Sequence, residues 1–411
     1  MGTLGLKERE SSVNNVFTVL DSKKECLGYY YNGEIKEQKT EDQFITWDYK
    51  PYFHEEGTEY VKLYAQGKSL SEVCPEHLRE EWDRLQERKA AFQNALLISK
   101  VDLEHVCTND LIPGWFLREY AQVKCEIVEW CFNNLPKPHD YNRALKLEKL
   151  FAEIRDSPLS IDLSAMNSHL SSLIVRQNLK KLSGVKNTLS YNQFGSVTGR
   201  LTLEKNSFPI LNLPKNFRKV LRPTNDFFVE FDYNAAELRT LLGTMQVKQP
   251  REDIHEWNIR HLFKDGCTRE EAKKRIFAWL YNPQSKDDLL NDTYDRDKVL
   301  SKYWDGTRVR TPFGREIEAG EHYALNYLIQ STTSDLVLDK VLAVQEFLKF
   351  LGDGASKIVF LIHDSFVLDI PAEARYNIPE IKSVFASTRF GEYRVGVRVG
   401  KDFGSMKEIE V

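Results

Sequence analysis

Between residues 60 and 155 the apolar positions recur at mixed intervals of three and four, the spacing that turns one face of a helix towards a core. The stretch LSEVCPEHLREEWDRLQERKAAFQNALL predicts helix within 60–100. A second helix is expected to start near Pro113 and to cover GWFLREYAQVKCEIVEWCF, ending at the break NNLPKPHD. A third is expected over 143–155, RALKLEKLFAEIR. These read as packed helices with solvated charged faces. Ahead of them, residues 16–45 read as a hairpin: FTVL and LGYYY lead to Asn32-Gly33, a pair that tolerates the left-handed backbone of a tight turn. From about residue 190 the texture changes. Glycine, polar and basic residues now stand in small groups between strands and helices, with no internal repeat and no low-complexity linker.

Composition narrows the class only a little. At 411 residues the chain exceeds what one hydrophobic core usually holds, so two or three subdomains are expected. With 12% aromatic and 29% charged residues it suits an ordinary folded protein. No apolar run approaches a membrane span, and MGTLGLKERESS has no apolar signal core, so neither membrane insertion nor secretion is expected. The six cysteines form no CxxC pair, which argues against a zinc site or a disulfide framework and for a reducing, cytoplasmic setting. A net charge of −4 argues against a polycation that coats nucleic acid, but leaves room for a local basic groove.

Three segments carry candidate chemistry. In FFVEFDYNAAELRTLLG (227–243) a strand pattern turns helical after Tyr233, so Asp232 falls at a strand end, either as a helix cap or facing a cleft. In LIHDSFVLDIP (361–371) an imidazole and a carboxylate, His363 and Asp364, interrupt two apolar, β-prone runs. Two carboxylates at sheet ends, distant in sequence, can converge on hard cations; magnesium takes such oxygens and shares its other positions with phosphates. The third segment, TREEAKKRIFAWLYNP (268–283), opens on a Thr268–Glu271 capping box. Within it Arg269, Lys273, Phe277 and Tyr281 recur every four residues. Each step drifts by only about 40° on a helix, which gives one slanting stripe of two cations and two rings. A polyphosphate would suit cations near the positive end of a helix, and the rings could stack a base and sugar. The alternative is a helix that packs Ile276, Phe277 and Leu280 inward.

Together these segments resemble the family A DNA polymerases, the group of bacterial DNA polymerase I. DYNAAELR (232–239) is similar to the first palm motif DYSQIELR, the Arg269–Lys273–Phe277–Tyr281 stripe to the R-x3-K-x3-F-x3-Y of the fingers, and LIHDSFV to the second palm motif VHDELV. In the family's order, YNQFGSVTGRL (191–201) resembles YHQAVTATGRL, DIH (253–255) the DIHTxTA segment, and EHYALNYLIQSTTSD (321–335) ERxAxNxPxQGTAAD. The resemblance implies an α+β right-hand polymerase: an antiparallel-sheet palm, helical fingers, a short helical thumb and a small N-terminal α/β region. It implies domains at 1–105 (a reduced or replaced, inactive exonuclease-like region), 106–190 (a helical region and reduced thumb) and 191–411 (the palm, with fingers inserted at about 245–310).

The implied roles follow residue by residue. Asp232 and Asp364 would hold two Mg2+ ions, with the Tyr233 carbonyl as an extra ligand. His255, Arg269 and Lys273 would bind the phosphates of an incoming dNTP; Phe277 would pack on that nucleotide and Tyr281 near the templating base. Glu237, with Tyr281, would crowd a 2′-hydroxyl. Arg200, Asn326, Gln330, Arg315 and His363 would contact primer–template DNA. A processivity or replisome partner, no membrane, and the cytoplasm of a bacterium or a phage-infected host are implied as well. The sequence departs from the family at Ser365, where Glu is usual, and at His322, Leu328, Ser331 and Asn282. The HDS triplet also resembles single-subunit phage RNA polymerases, which share the palm, but Glu237 and the Phe277/Tyr281 pair favour DNA synthesis. A primer-making relative and an inactive DNA-binding accessory protein are the alternatives. LDSKKECLG (20–28) has Asp21 and Glu25 at the wrong spacing for a proofreading DxE motif. Only about 35 residues separate Asp162 from the TGR motif, which predicts a stunted thumb and low processivity.

Overall fold

A computed structural model describes residues 29–31, 34–36, 45–51, 56–101, 103, 106, 108–263, 266–282 and 284–411. The chain divides into two compact units, Met1–Lys149 and Leu150–Val411.

In the first unit the strands Tyr29–Tyr31 and Glu34–Lys36 pair antiparallel with Tyr31 opposite Glu34, the two-residue register that Asn32-Gly33 predicts. FTVL (17–20) and LDSKKECLG lie outside the described residues. The expected helical block over 60–100 is broken. Leu70–Val73 is closed by a Ser69–Glu72 capping box, and Pro75, which has no N–H to donate, starts the long helix Glu76–Ile98. That helix buries Leu78, Trp82 and Leu85, and the Trp82 indole stacks on Tyr120 at 5.3 Å. Tyr120 belongs to Gly114–Asn134, which begins immediately after Pro113 as expected, and the helix Tyr141–Arg155, whose last six residues belong to the second unit, follows the predicted break.

The second unit is built on a five-stranded antiparallel sheet. Its strands are β1 (Phe227–Tyr233), β2 (Lys357–Ile362), β3 (Ser365–Ile370), β4 (Val395–Gly400) and β5 (Lys407–Ile409), in the spatial order β2-β3-β1-β4-β5. Alternation along the strands separates two faces. Phe231 and Tyr233 of β1 and Phe366 of β3 share one face. There Phe231 stacks on Phe366 at 5.0 Å and Tyr233 on Phe385 at 4.0 Å. Phe385 lies on a helix over that face, Ile378–Ala386. The other face carries Glu230 and Asp232 of β1, opposite Arg398 and Gly396 of β4.

After β1 come helix α1 (Ala236–Thr244) and an inserted helical segment whose main element is α2 (Arg269–Tyr281). Ile276, Trp279 and Leu280 of α2 join Leu290, Tyr294 and Val299 in a core that also takes in Leu238, Leu241 and Leu242 of α1. The 31-residue helix α3 (Glu321–Leu351) returns the chain to the sheet and is buried along most of its length. The mixture of helices with an antiparallel sheet agrees with the α+β expectation. Among the described residues no helix is long and apolar enough to cross a membrane.

Candidate active site

The two candidate carboxylates meet at one end of the sheet. Asp232, one residue before the end of β1, pairs in register with Ser365 of β3 and Gly396 of β4. Asp364 lies in the two-residue turn between β2 and β3, where Ile362 faces Ser365. Its neighbour His363 has φ of +52°, a left-handed conformation usually left to glycine in such turns. The Ser365 hydroxyl donates to the Ile362 carbonyl at 3.1 Å, so the residue that departs from the resembled motif closes the turn. The Asn234 N–H donates to the carbonyl of Arg394, just before β4, whereas the Tyr233 N–H donates to the Asp364 carbonyl at 3.4 Å. Because strand peptides alternate in direction, the Tyr233 peptide is turned towards Asp364. The side chain of Asp232 caps no helix: α1 begins after Ala235 with no side-chain cap.

Among the described residues no side chain hydrogen-bonds or ion-pairs with either carboxylate. Burial, then the negative charges of Asp364 and Glu230, push Asp232 up to about 7. Burial also raises Asp364. Arg398 and Arg218 act on Asp232, and His363, Arg200 and Lys273 on Asp364, but none pairs directly with them. Two half-buried acids thus form a site that a cation would complete. Among the described residues no group of three or more acidic, His or Cys side chains forms a ready metal cage. The protein therefore offers two carboxylates with a peptide carbonyl beside them. This donor set suits a magnesium ion that takes its other oxygens from phosphates and water.

Helix α2 accommodates both readings: Phe277 and Tyr281 pack against the core that holds Ile276 and Leu280, and its two cations lie outside. Ala272, Ile276, Trp279 and Leu280 are buried, while Arg269 and Lys273 are exposed and Phe277 and Tyr281 half-buried. The Thr268–Glu271 capping box is formed. The Phe277 and Tyr281 rings lie parallel, 5.7 Å apart and inclined by only 2°, and the Lys273 ammonium lies 5.7 Å from the Phe277 ring centre. Arg269 donates to Asp253 at 2.8 Å. Burial opposes ionisation of Asp253, but hydrogen bonds from Arg269, the Glu256 N–H and Asn234 hold it down at about 2. His255 is 3% exposed, its Nδ1 has no partner, and burial lowers it to about 4, so the imidazole is neutral.

The segment around TGR is fastened to both the sheet and α3. The Tyr191 hydroxyl donates to the Leu361 carbonyl at 2.8 Å and accepts from its N–H at 2.9 Å, which satisfies the outer edge of β2 just before the His363-Asp364 turn. Thr198 donates to Gln330 at 2.7 Å. Gly199 has φ of +73°, and a Cβ there would come within 2.6 Å of the Arg315 guanidinium. Arg315 in turn makes two hydrogen bonds, 2.7 and 3.2 Å, to Asp335, which is fully buried. Arg200 donates to Glu237 at 2.6 Å, and the Tyr281 hydroxyl donates to the other Glu237 oxygen.

Arg200, Glu237, Phe277, Gln330, His363 and Asp364 all line one cavity of about 190 Å³. Asp232 lines a separate cavity of about 530 Å³ with Asp253, Arg269, Arg394 and Arg398. Asn326, one turn before Gln330 on α3, lines neither; its Oδ1 is buried without a partner. Several residues of this region escaped the sequence reading. Glu230, 3% exposed and 2.6 Å from Arg398, had one legible signal: two residues before Asp232, it must share its face of the strand. Asp335 closes the 321–335 motif but was given no role there, and Arg394 and Arg398 had no signal, since only strand register and tertiary packing bring them here.

No family profile matches this chain. In sequence it is similar to DNA polymerase I of Borreliella burgdorferi, 23% identical over an alignment of 274 positions that covers 53% of this chain and 30% of the relative. The chain thus spans under a third of that relative's length. In structure it is similar to the POL domain of Pol1 from M. smegmatis, solved in complex with DNA primer-template and dNTP. The TM-score is 0.59 at 14% identity, over 71% of this chain and 76% of the other. The fold is that of a polymerase domain. The sequence similarity and the shared fold together support the family A-like resemblance that the six motifs carry.

Proposed function

We propose that this chain is a template-directed DNA polymerase that transfers a nucleotide from dNTP to a primer 3′-hydroxyl and releases pyrophosphate. One observation carries the reading: Glu237, which holds both Arg200 and the Tyr281 hydroxyl of α2, lines one cavity with Phe277 and the partnerless Asp364. In this reading the sheet is the palm, the inserted helices around α2 are the fingers, and the 11-residue helix Leu173–Ser183 serves as a short thumb. Two magnesium ions, when bound, would neutralise the phosphates and supply the Lewis acidity for in-line displacement. Asp232 and Asp364 would hold them, with the Tyr233 carbonyl alongside.

The other roles belong to the chain's own side chains. Lys273 and Arg269 attract the triphosphate, with Arg269 steadied by Asp253. Neutral His255 offers a neutral hydrogen-bonding group rather than a third charge. The parallel rings of Phe277 and Tyr281 present a stacking surface for the base. Glu237 walls the sugar pocket, while Gln330, Arg315, Asn326 and His363 face or brace the primer–template. The DNA and dNTP in the structural neighbour's complex support these partners. The expected absence of proofreading and the low processivity belong to the same reading.

Primer extension tests it. Wild type should extend with dNTPs in preference to NTPs, leave a mispaired primer end uncut, and stop after few additions per binding event. Asp364→Asn should abolish extension. Extension surviving that substitution would overturn the metal assignment, and a preference for NTPs would overturn the DNA reading.

A further inference from the structure

Arg200 is implied to be a DNA contact, yet here its guanidinium lies 2.6 Å from one oxygen of Glu237 while the Tyr281 hydroxyl holds the other. The carboxylate is thus gripped from two sides, by a loop and by the helix α2. Glu237 is 13% exposed in its side chain and lines the 190 Å³ cavity beside Asp364. A side chain that excludes a ligand atom by bulk must hold its place. A carboxylate on a two-carbon stem keeps one rotamer only if its oxygens are anchored, and a charge-assisted bond to guanidinium is among the strongest anchors available.

The anchor is itself anchored. Thr198 is bonded to Gln330, Gly199 rests on Arg315, and Arg315 is fixed to the fully buried Asp335. The Ser196 hydroxyl also donates to the Arg200 carbonyl at 2.8 Å. Arg200 therefore projects from a loop pinned to α3 at two points, and its position is set by the core rather than by solvent.

We propose that Arg200 is a positioning residue for sugar selection, acting through Glu237: it fixes the carboxylate so that the pocket admits a deoxyribose and rejects a 2′-hydroxyl. This deepens the polymerase reading and rests on it. The guanidinium has five N–H donors, so one edge can hold Glu237 while others reach a primer base. Without the arginine, Glu237 keeps only the Tyr281 bond and can turn aside.

A double-mutant cycle separates this role from DNA binding. Steady-state kcat/KM for a dNTP and its matching NTP is measured for wild type, Arg200→Ala, Arg200→Lys, Glu237→Ala and the double Arg200→Ala/Glu237→Ala. The expected result is that Arg200→Ala lowers the dNTP/NTP ratio about tenfold or more, about 1.4 kcal/mol of discrimination. Arg200→Lys should recover part of it, and Arg200→Ala should change the ratio by less than twofold once Glu237 is alanine. If Arg200→Ala lowers both values equally, or still changes the ratio in the Glu237→Ala background, the inference is overturned while the polymerase reading stands. A wild type that extends no primer would overturn both.

Discussion

Replacing Asp232 with asparagine should have opposite effects on stability and on activity, and the structure gives the size. The Asp232 carboxyl moves from 3.8 to about 7 on folding, through burial and then the charges of Asp364 and Glu230. At 1.36 kcal/mol per pKa unit the ceiling is about 4 kcal/mol, and sharing of the repulsion with Asp364 places the expected effect at about 1–4 kcal/mol. The sign follows from proton counts. Between about pH 4 and pH 7 the folded state holds a proton that the unfolded state has released, so wild-type stability falls as pH rises through that window. Above pH 7 the penalty is complete. The substituted amide does not titrate. In chelator, urea denaturation should find Asp232→Asn and wild type nearly equal at pH 4 and the variant more stable at pH 8. Magnesium should reverse the order at pH 8, since a cation bound only by the folded wild type adds RT ln(1 + [L]/Kd). The reasoning is refuted if the variant is the less stable protein at pH 8 without metal, or if magnesium stabilises both proteins equally.

Two further substitutions probe the braces around the site. Arg315→Ala removes the two hydrogen bonds its guanidinium makes to the fully buried Asp335 and should cost about 1.5–3 kcal/mol in denaturant titration; a loss below about 1 kcal/mol would mean that the pair does not hold the TGR loop. Tyr191→Phe removes both hydrogen bonds to Leu361 and should cost about 1–3 kcal/mol. It should also speed amide exchange at Leu361, and unchanged exchange there would show that the hydroxyl does not close the strand edge.

What the sequence determined by itself was local. The Thr268–Glu271 cap, the helix start after Pro113, the strand-to-helix change after Tyr233 and the β-turn-β form of LIHDSFVLDIP are encoded within a few residues, by period and by backbone chemistry. They were legible for that reason. Even the stripe of Arg269, Lys273, Phe277 and Tyr281 on α2 was legible, because a four-residue spacing maps onto one helix face. The break at Pro75, inside what periodicity read as one helical block, came from a proline that removes a donor where the apolar pattern continues. Tertiary structure decided the partners. Only the sheet order sets Asp232 beside the Asp364 turn and lays Arg398 across from Glu230. Only packing sends Arg315 beneath Gly199 to a buried Asp335, and Arg200 to Glu237. Charge pairing acts over a few ångströms of space rather than over sequence separation. The sequence could therefore name Asp232, Asp364, Arg200 and Glu237, while the fold added Glu230, Arg394 and Arg398 and chose which charges hold one another.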